Sequence, residues 1–150
     1  MTDRIAKRIF KEIEKIRKGD FKEVEINIPD EGNIRNLNAI LIGPEDTAYE
    51  GIKYIVSLKL GKDYPLKAPT VKFVSKIFHP NVGQKGSICL DILQNKWSPA
   101  MSIANIITSL QLLLQEPNPA SPLNGEAARL FENNKDEYSK KVKAFIGKTY

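Results

Sequence analysis

Cys89, His79, Asn81 and Asp91 are the residues whose types and spacing could do chemistry. They fall in one stretch, Phe78 to Ala100, which reads FHPNVGQKGSICLDILQNKWSPA and holds the chain's one cysteine, one histidine and one tryptophan. Its glycines and prolines mark an irregular path, and a long irregular stretch inside a compact domain is usually functional. A thiol is a good nucleophile, so Cys89 suggests covalent catalysis. A lone cysteine is more often a small buried hydrophobe, and a lone histidine a satisfied structural group. A cysteine protease would need Cys, His and Asn or Asp converging in space. His79 and Asn81 would share one turn and could not approach Cys89 independently, which disfavours that reading.

The elements that must position this stretch follow from periodicity. Ile5, Ile9, Ile13 and Ile16 recur at helical spacing, predicting an amphipathic helix over 3–18, capped by Thr2 or Asp3 and ended by Gly19. Val24, Ile26 and Ile28 alternate with polar residues as in a half-buried strand. Pro29 to Asn33 reads as a turn. Further strands are expected over 34–42, 52–60 and 70–74, giving an antiparallel meander of four strands. After the central stretch, Ile103, Ile106, Ile107, Leu110, Leu113 and Leu114 form a long apolar stripe behind a Ser102 cap. This helix, 102–115, should cross one face of the sheet. Asn124 should cap a short helix bearing Ala127, Ala128, Leu130 and Phe131. Asn134 and Glu137 should form a capping box for a last helix carrying Tyr138, Val142, Phe145 and Ile146. The class is α+β in one domain, 1–150.

Composition narrows the function. The length suits one domain with a proper core. One cysteine cannot form an internal disulfide or a structural zinc framework, and no apolar run is long enough to span a bilayer. The first 20 residues are charged throughout and do not read as a secretory signal. The net charge of +5 and pI near 9.2 raise nucleic-acid binding. The cations cluster near the ends, from Arg4 to Lys18 and from Lys135 to Lys148, in segments whose periodicity reads as helical. Solvated helix faces are the plainer reading.

The central stretch resembles the ubiquitin-conjugating enzymes. His79-Pro80-Asn81, Cys89 eight residues after the asparagine, and Trp97-Ser98-Pro99-Ala100 match the family's signature in order and spacing. Tyr64-Pro65-Leu66-Lys67-Ala68-Pro69 is similar to its YPxxPP segment, and Glu116 to Leu123 to its PNPDDPL segment. The resemblance runs from about Arg4 to the last helix and implies that family's fold: an N-terminal helix, the meander, an active-site loop and three C-terminal helices.

It also implies a function and a set of roles. Cys89 would accept ubiquitin as a thioester from the activating enzyme, in an ATP-dependent cascade, and pass it to a substrate lysine or a ligase cysteine. Asn81 would stabilise the oxyanion of the second step or tie the loop together. His79 and Pro80 would set its turn. Asp91 would orient or desolvate the incoming lysine. Ser121 stands where the family often has an acid, and its hydroxyl could be phosphorylated. Ligases would bind at Tyr64, Pro65, Leu66, Lys96, Ser98, Pro99, Ala100, Arg4 and Lys7. Leu66 replaces a frequent phenylalanine there, which should shift ligase choice. A basic face on the first helix would steer binding to the activating enzyme. Donor ubiquitin would fold onto Asn105, Thr108 and Leu112.

The expected partners are ubiquitin, activating enzyme, ligases and substrates, with no nucleic acid and no membrane. No cofactor or metal is expected. A monomer is expected, in cytoplasm and nucleus. The segments KIFHPNV and KWSPA resemble members that build chains with an inactive partner subunit, but Lys59 stands where those members have an aromatic partner-binding residue. SUMO-conjugating enzymes usually have an insertion before the tryptophan that is absent here. Two alternatives stay open: a carrier of another ubiquitin-like modifier, and a non-catalytic ubiquitin-binding variant.

Overall fold

In the computed structural model, residues 4–19, 21 and 23–150 are described. Helix α1 (Arg4–Lys18) precedes strands β1 (Val24–Asn27), β2 (Asn36–Ile42), β3 (Lys53–Lys59) and β4 (Thr70–Phe73). Helices α2 (Ile103–Gln115), α3 (Gly125–Asn133) and α4 (Lys135–Ala144) follow. The strands form one antiparallel sheet in the order β1-β2-β3-β4. The proposed caps Thr2 and Asp3 lie outside the described residues.

One face of the sheet is apolar because alternate residues point to it. Leu37, Ala39 and Leu41 on β2, Tyr54, Val56 and Leu58 on β3, and Val71 and Phe73 on β4 are all buried. They share a single core with Ile103, Ile106, Ile107, Leu110 and Leu114 of α2 and with Ile9, Ile13 and Ile16 of α1. The opposite face mixes polar residues, among them Asn36, Asn38, Ser57, Lys59, Thr70 and Lys72, with the half-buried Ile40, Ile42 and Ile55.

Several expected bounds were too generous. β2 starts at Asn36 because the Asn33 side chain accepts from Arg35 N–H at 3.1 Å and holds a turn there. Ile52 stays in a turn, donating its N–H to Tyr49 at 3.0 Å. Gly43 is needed beside it, since a Cβ would lie 1.7 Å from the Tyr49 carbonyl oxygen. Asn134 caps α4, accepting from Glu137 N–H at 3.1 Å, but the box is not completed. The Asn134 N–H is already used by Leu130 of α3 at 2.8 Å, since this residue both ends α3 and starts α4. Phe145 and Ile146 fall beyond α4; Phe145 still packs on the core, whereas Ile146 is exposed.

Candidate active site

The spacing between Asn81 and Cys89 is that of a hairpin. Val82 bridges Ile88, Gly83 N–H donates to Ser87 at 2.8 Å, and Cys89 N–H donates to the Asn81 carbonyl at 3.0 Å. Asn81 and Cys89 are therefore backbone partners. Gly86 turns the hairpin at φ +83°, with its carbonyl accepting from Phe73 N–H at 2.9 Å; a Cβ there would meet the Phe73 carbonyl at 2.2 Å. This bond fixes the hairpin to the edge of β4. Cys89 is exposed and free. A 3₁₀ turn, Asp91–Leu93, follows it, in what sequence reading left irregular.

His79 is 0% exposed and holds the turn beneath. Its Nδ1 accepts from Asn81 N–H at 2.9 Å, so Nε2 carries the proton and donates to the Leu113 carbonyl of α2 at 2.9 Å. Its ring stacks on Tyr49, centroids 5.5 Å apart. Burial pulls its pKa down to about 4, partly offset by the Leu113 bond, and keeps the imidazole neutral. His79 thus ties the turn to α2 through two hydrogen bonds of its ring. Tyr49 extends the support: its hydroxyl donates to the Phe78 carbonyl at 2.7 Å and accepts from Tyr138 of α4.

Asn81 is 3% exposed, and its side chain clamps the segment after α2. Nδ2 donates to the Asn118 carbonyl at 2.7 Å, and Oδ1 accepts from Asn118 N–H at 2.9 Å. Further along, Leu123 and Asn124 donate to the Pro80 carbonyl at 2.8 and 3.1 Å. The segment carrying Ser121 is thus stapled to residues 80–81 at both ends. Ser121 is exposed at φ +51°. A residue before proline ordinarily takes extended backbone, so this left-handed conformation was not foreseen.

Asp91 faces Lys96, with Nζ to Oδ2 at 3.6 Å and both side chains well exposed. Lys96 was expected on the ligase surface; here its ammonium lies against the candidate lysine-orienting acid. Leu66 is 74% exposed, and Pro99, Ala100, Arg4 and Lys7 are also exposed, while Pro65 and Ser98 are partly so.

Tyr64 is a correction. It is 2% exposed and cannot offer a partner its ring. Its hydroxyl donates to the Glu12 carboxylate at 2.9 Å to either oxygen, and Trp97 Nε1–H donates to the Pro65 carbonyl at 2.9 Å. Burial, with Glu12 beside it, pushes the Tyr64 phenol well above its usual pKa.

Sequence reasoning missed Glu12 and Arg8. Glu12 also accepts from Ile103 N–H at the start of α2 at 2.8 Å. Arg8 pairs with Glu12 at 3.2 Å and donates to the carbonyls of Pro99 at 3.1 Å and Met101 at 2.7 Å. One carboxylate and one guanidinium thus tie α1 to both candidate ligase loops. Their four-residue spacing reads as an ordinary helix pair, so nothing in the sequence marked them.

On α2, Asn105, Thr108 and Leu112 are all exposed on one face. Asn105 Oδ1 is turned back onto the helix start, accepting from Ser102 N–H at 2.8 Å and Ser102 Oγ at 3.1 Å. Among the described residues no cluster of His, Cys, Asp and Glu could hold a metal ion.

The family model described as Ubiquitin-conjugating enzyme matches residues 8–146. The chain is 45% identical to "Ubiquitin-conjugating enzyme E2 3" of Arabidopsis thaliana over 150 residues, covering all of this chain and 99% of that one. It is also 45% identical to "Ubiquitin-conjugating enzyme E2 1" of Caenorhabditis elegans, spanning all of this chain and 78% of that protein. The solved E2 domain of a Toxoplasma gondii ubiquitin conjugating enzyme superposes with a TM-score of 0.85 at 34% identity, covering 95% of this chain and 97% of that one. With the hairpin that exposes Cys89 and the clamp that Asn81 makes behind it, these matches place the chain in the ubiquitin-conjugating enzyme family.

Proposed function

We propose that Cys89 is the residue that carries ubiquitin. The Cys89 thiolate attacks the thioester carbonyl on the activating enzyme; a new C–S bond forms, the old C–S bond breaks, and the activating enzyme's sulfur leaves as a thiolate. A lysine amine, after losing a proton, then attacks the same carbon. The C–N bond forms, the C–S bond breaks, and Cys89 departs as a thiolate. A ligase cysteine can replace the amine as acceptor. The observation that carries this reading is an exposed thiol at the end of a hairpin whose partner strand is held rigidly by His79 and Asn81.

In the second step Asn81 has two roles. One amide proton holds Asn118; the other is available to an oxyanion. Asp91 attracts the acceptor ammonium once Lys96 yields, and Ser121 borders its approach. Arg4, Lys7, Pro65, Leu66, Ser98, Pro99 and Ala100 form the ligase surface, with Lys96 at its margin. Asn105, Thr108 and Leu112 seat the donor ubiquitin. The chain works as a single-domain monomer in cytoplasm and nucleus.

The test is incubation with activating enzyme, ATP and ubiquitin, with other ubiquitin-like modifiers in parallel. The expected product is a ubiquitin conjugate removed by thiol reductant and absent from Cys89→Ala. Charging that survives that substitution overturns the assignment, because the sequence has no other cysteine.

A further inference from the structure

The outer face of the sheet carries a band of cations that chain order conceals. Two shallow cavities, of about 430 and about 300 Å³, share Lys59 and Thr70. The first is lined also by Arg35, Lys62 and Lys67, and the second by Lys72 and Lys85. The one acid in either lining is Asp63, which is paired with Lys67 at 3.7 Å. Lys59, Lys62, Lys72 and Lys85 are exposed and make no ion pair with any described residue.

The register sets their spacing. Lys59 lies opposite Thr70 and Lys72 opposite Ser57, so the two lysines are diagonal neighbours. Lys72 also bridges Ser87, which brings Lys85 onto the same cavity. Diagonal neighbours on a sheet lie about 7–8 Å apart. Alternate side chains of an extended peptide lie about 6.8 Å apart along it, which suits successive carboxylates to successive lysines.

We propose that this band binds an extended acidic peptide segment of a substrate or partner protein. Charge complementarity argues for the sign of the ligand. A protein rather than a nucleic acid is favoured because successive bases need successive rings, and the two cavities offer one: Tyr64 and Phe73 are buried, leaving Tyr150, 40% exposed and fastened through its hydroxyl to Ile77 at 3.2 Å. The band ends at Lys85, four residues before Cys89, on the hairpin that presents the thiol. An acidic segment held there raises the local concentration of a nearby lysine. That use rests on the thioester reading above; the binding itself does not.

The experiment is fluorescence anisotropy of the uncharged protein with three labelled probes: a deca-glutamate peptide, a neutral Gly-Ser decamer and a ten-nucleotide single-stranded DNA. The glutamate peptide should bind, more weakly as salt rises, and the neutral peptide should not. Each exposed lysine should contribute about two- to fivefold, so Lys59→Gln/Lys72→Gln should weaken binding about fourfold or more. Lys140→Gln/Lys143→Gln removes the same charge from α4 and should leave the affinity within about twofold. Thermal unfolding of both variants checks that they fold. Equal losses in the two variants, no binding of the glutamate peptide, or tighter binding of the DNA would each overturn the proposal. Because no thioester is involved, failure here is distinct from failure of the charging assay.

Discussion

Lowering the pH should loosen this protein through one side chain, His79. Its pKa is held near 4 in the fold against 6.5 for a free imidazole. The folded value is the lower one, so the unfolded chain takes up the proton first. The contribution to stability is fully present above about pH 6.5 and is lost as the pH falls toward 4. Linkage between those two values gives a loss of about 2 kcal/mol between pH 7.5 and pH 5. For a chain of this size that lowers the melting temperature by roughly 4–8 °C. The cause is burial, which denies the imidazolium its water; in addition a protonated Nδ1 can no longer accept from Asn81 N–H. Because His79 is the chain's one histidine, NMR of the imidazole protons follows its titration without overlap. Thermal unfolding of native protein and His79→Gln at both pH values isolates its share, since the carboxylates common to both cancel. The native protein should lose more stability on acidification than the variant. A native imidazole titrating at or above pH 6, or equal acid losses in the two proteins, would refute the reasoning.

Three other substitutions test the site. Asn81→Ala leaves the Asn118 backbone unsatisfied, costing about 1–3 kcal/mol; charging should stay within a few-fold, and single-turnover discharge onto lysine should slow about 100-fold or more. Equal loss in both steps would leave only the clamp. Ser121→Asp should speed discharge onto free lysine without altering charging, since aspartate tolerates the left-handed backbone and adds attraction for the ammonium; a rate no higher than that of Ser121→Ala counts against it. Tyr64→Phe removes a hydrogen bond to a carboxylate and should lower stability by about 1.5–3 kcal/mol in urea unfolding while ligase-free discharge is unchanged; an unaltered urea midpoint would show that Tyr64 is not the pin described.

What the sequence made legible was what repeats. The isoleucines of α1, the alternation in β1 and the apolar stripe of α2 announced their elements because a buried face imposes its period. The motif residues pointed to the candidate site, where His79 is buried and neutral. Interactions between distant segments left no local trace. Glu12 meets Ile103 across 91 positions, and Asn81 meets Asn118 across 37. Tyr64 was misplaced because a turn next to an exposed leucine does not reveal which ring points inward. Ser121 took a conformation that its following proline argues against. The cationic band was hidden because its lysines sit on separate strands and a hairpin, while the cations that crowd together in sequence lie on helices.

The pairing of Asn81 with Cys89 bears on how this chain tolerates insertions. Most loops lengthen at little thermodynamic cost. The Gly83–Ser87 turn is different, because the bonds from Gly83 to Ser87 and from Cys89 to Asn81 leave no slack on either side of it. One extra residue absorbed on the Cys89 side would slip the register by one and turn the thiol to the opposite face of the hairpin. Two extra residues would restore the face but lengthen the turn that Gly86 holds against Phe73. A library with insertions at every position should therefore recover folded proteins widely, yet lose function without losing the fold between 83 and 88.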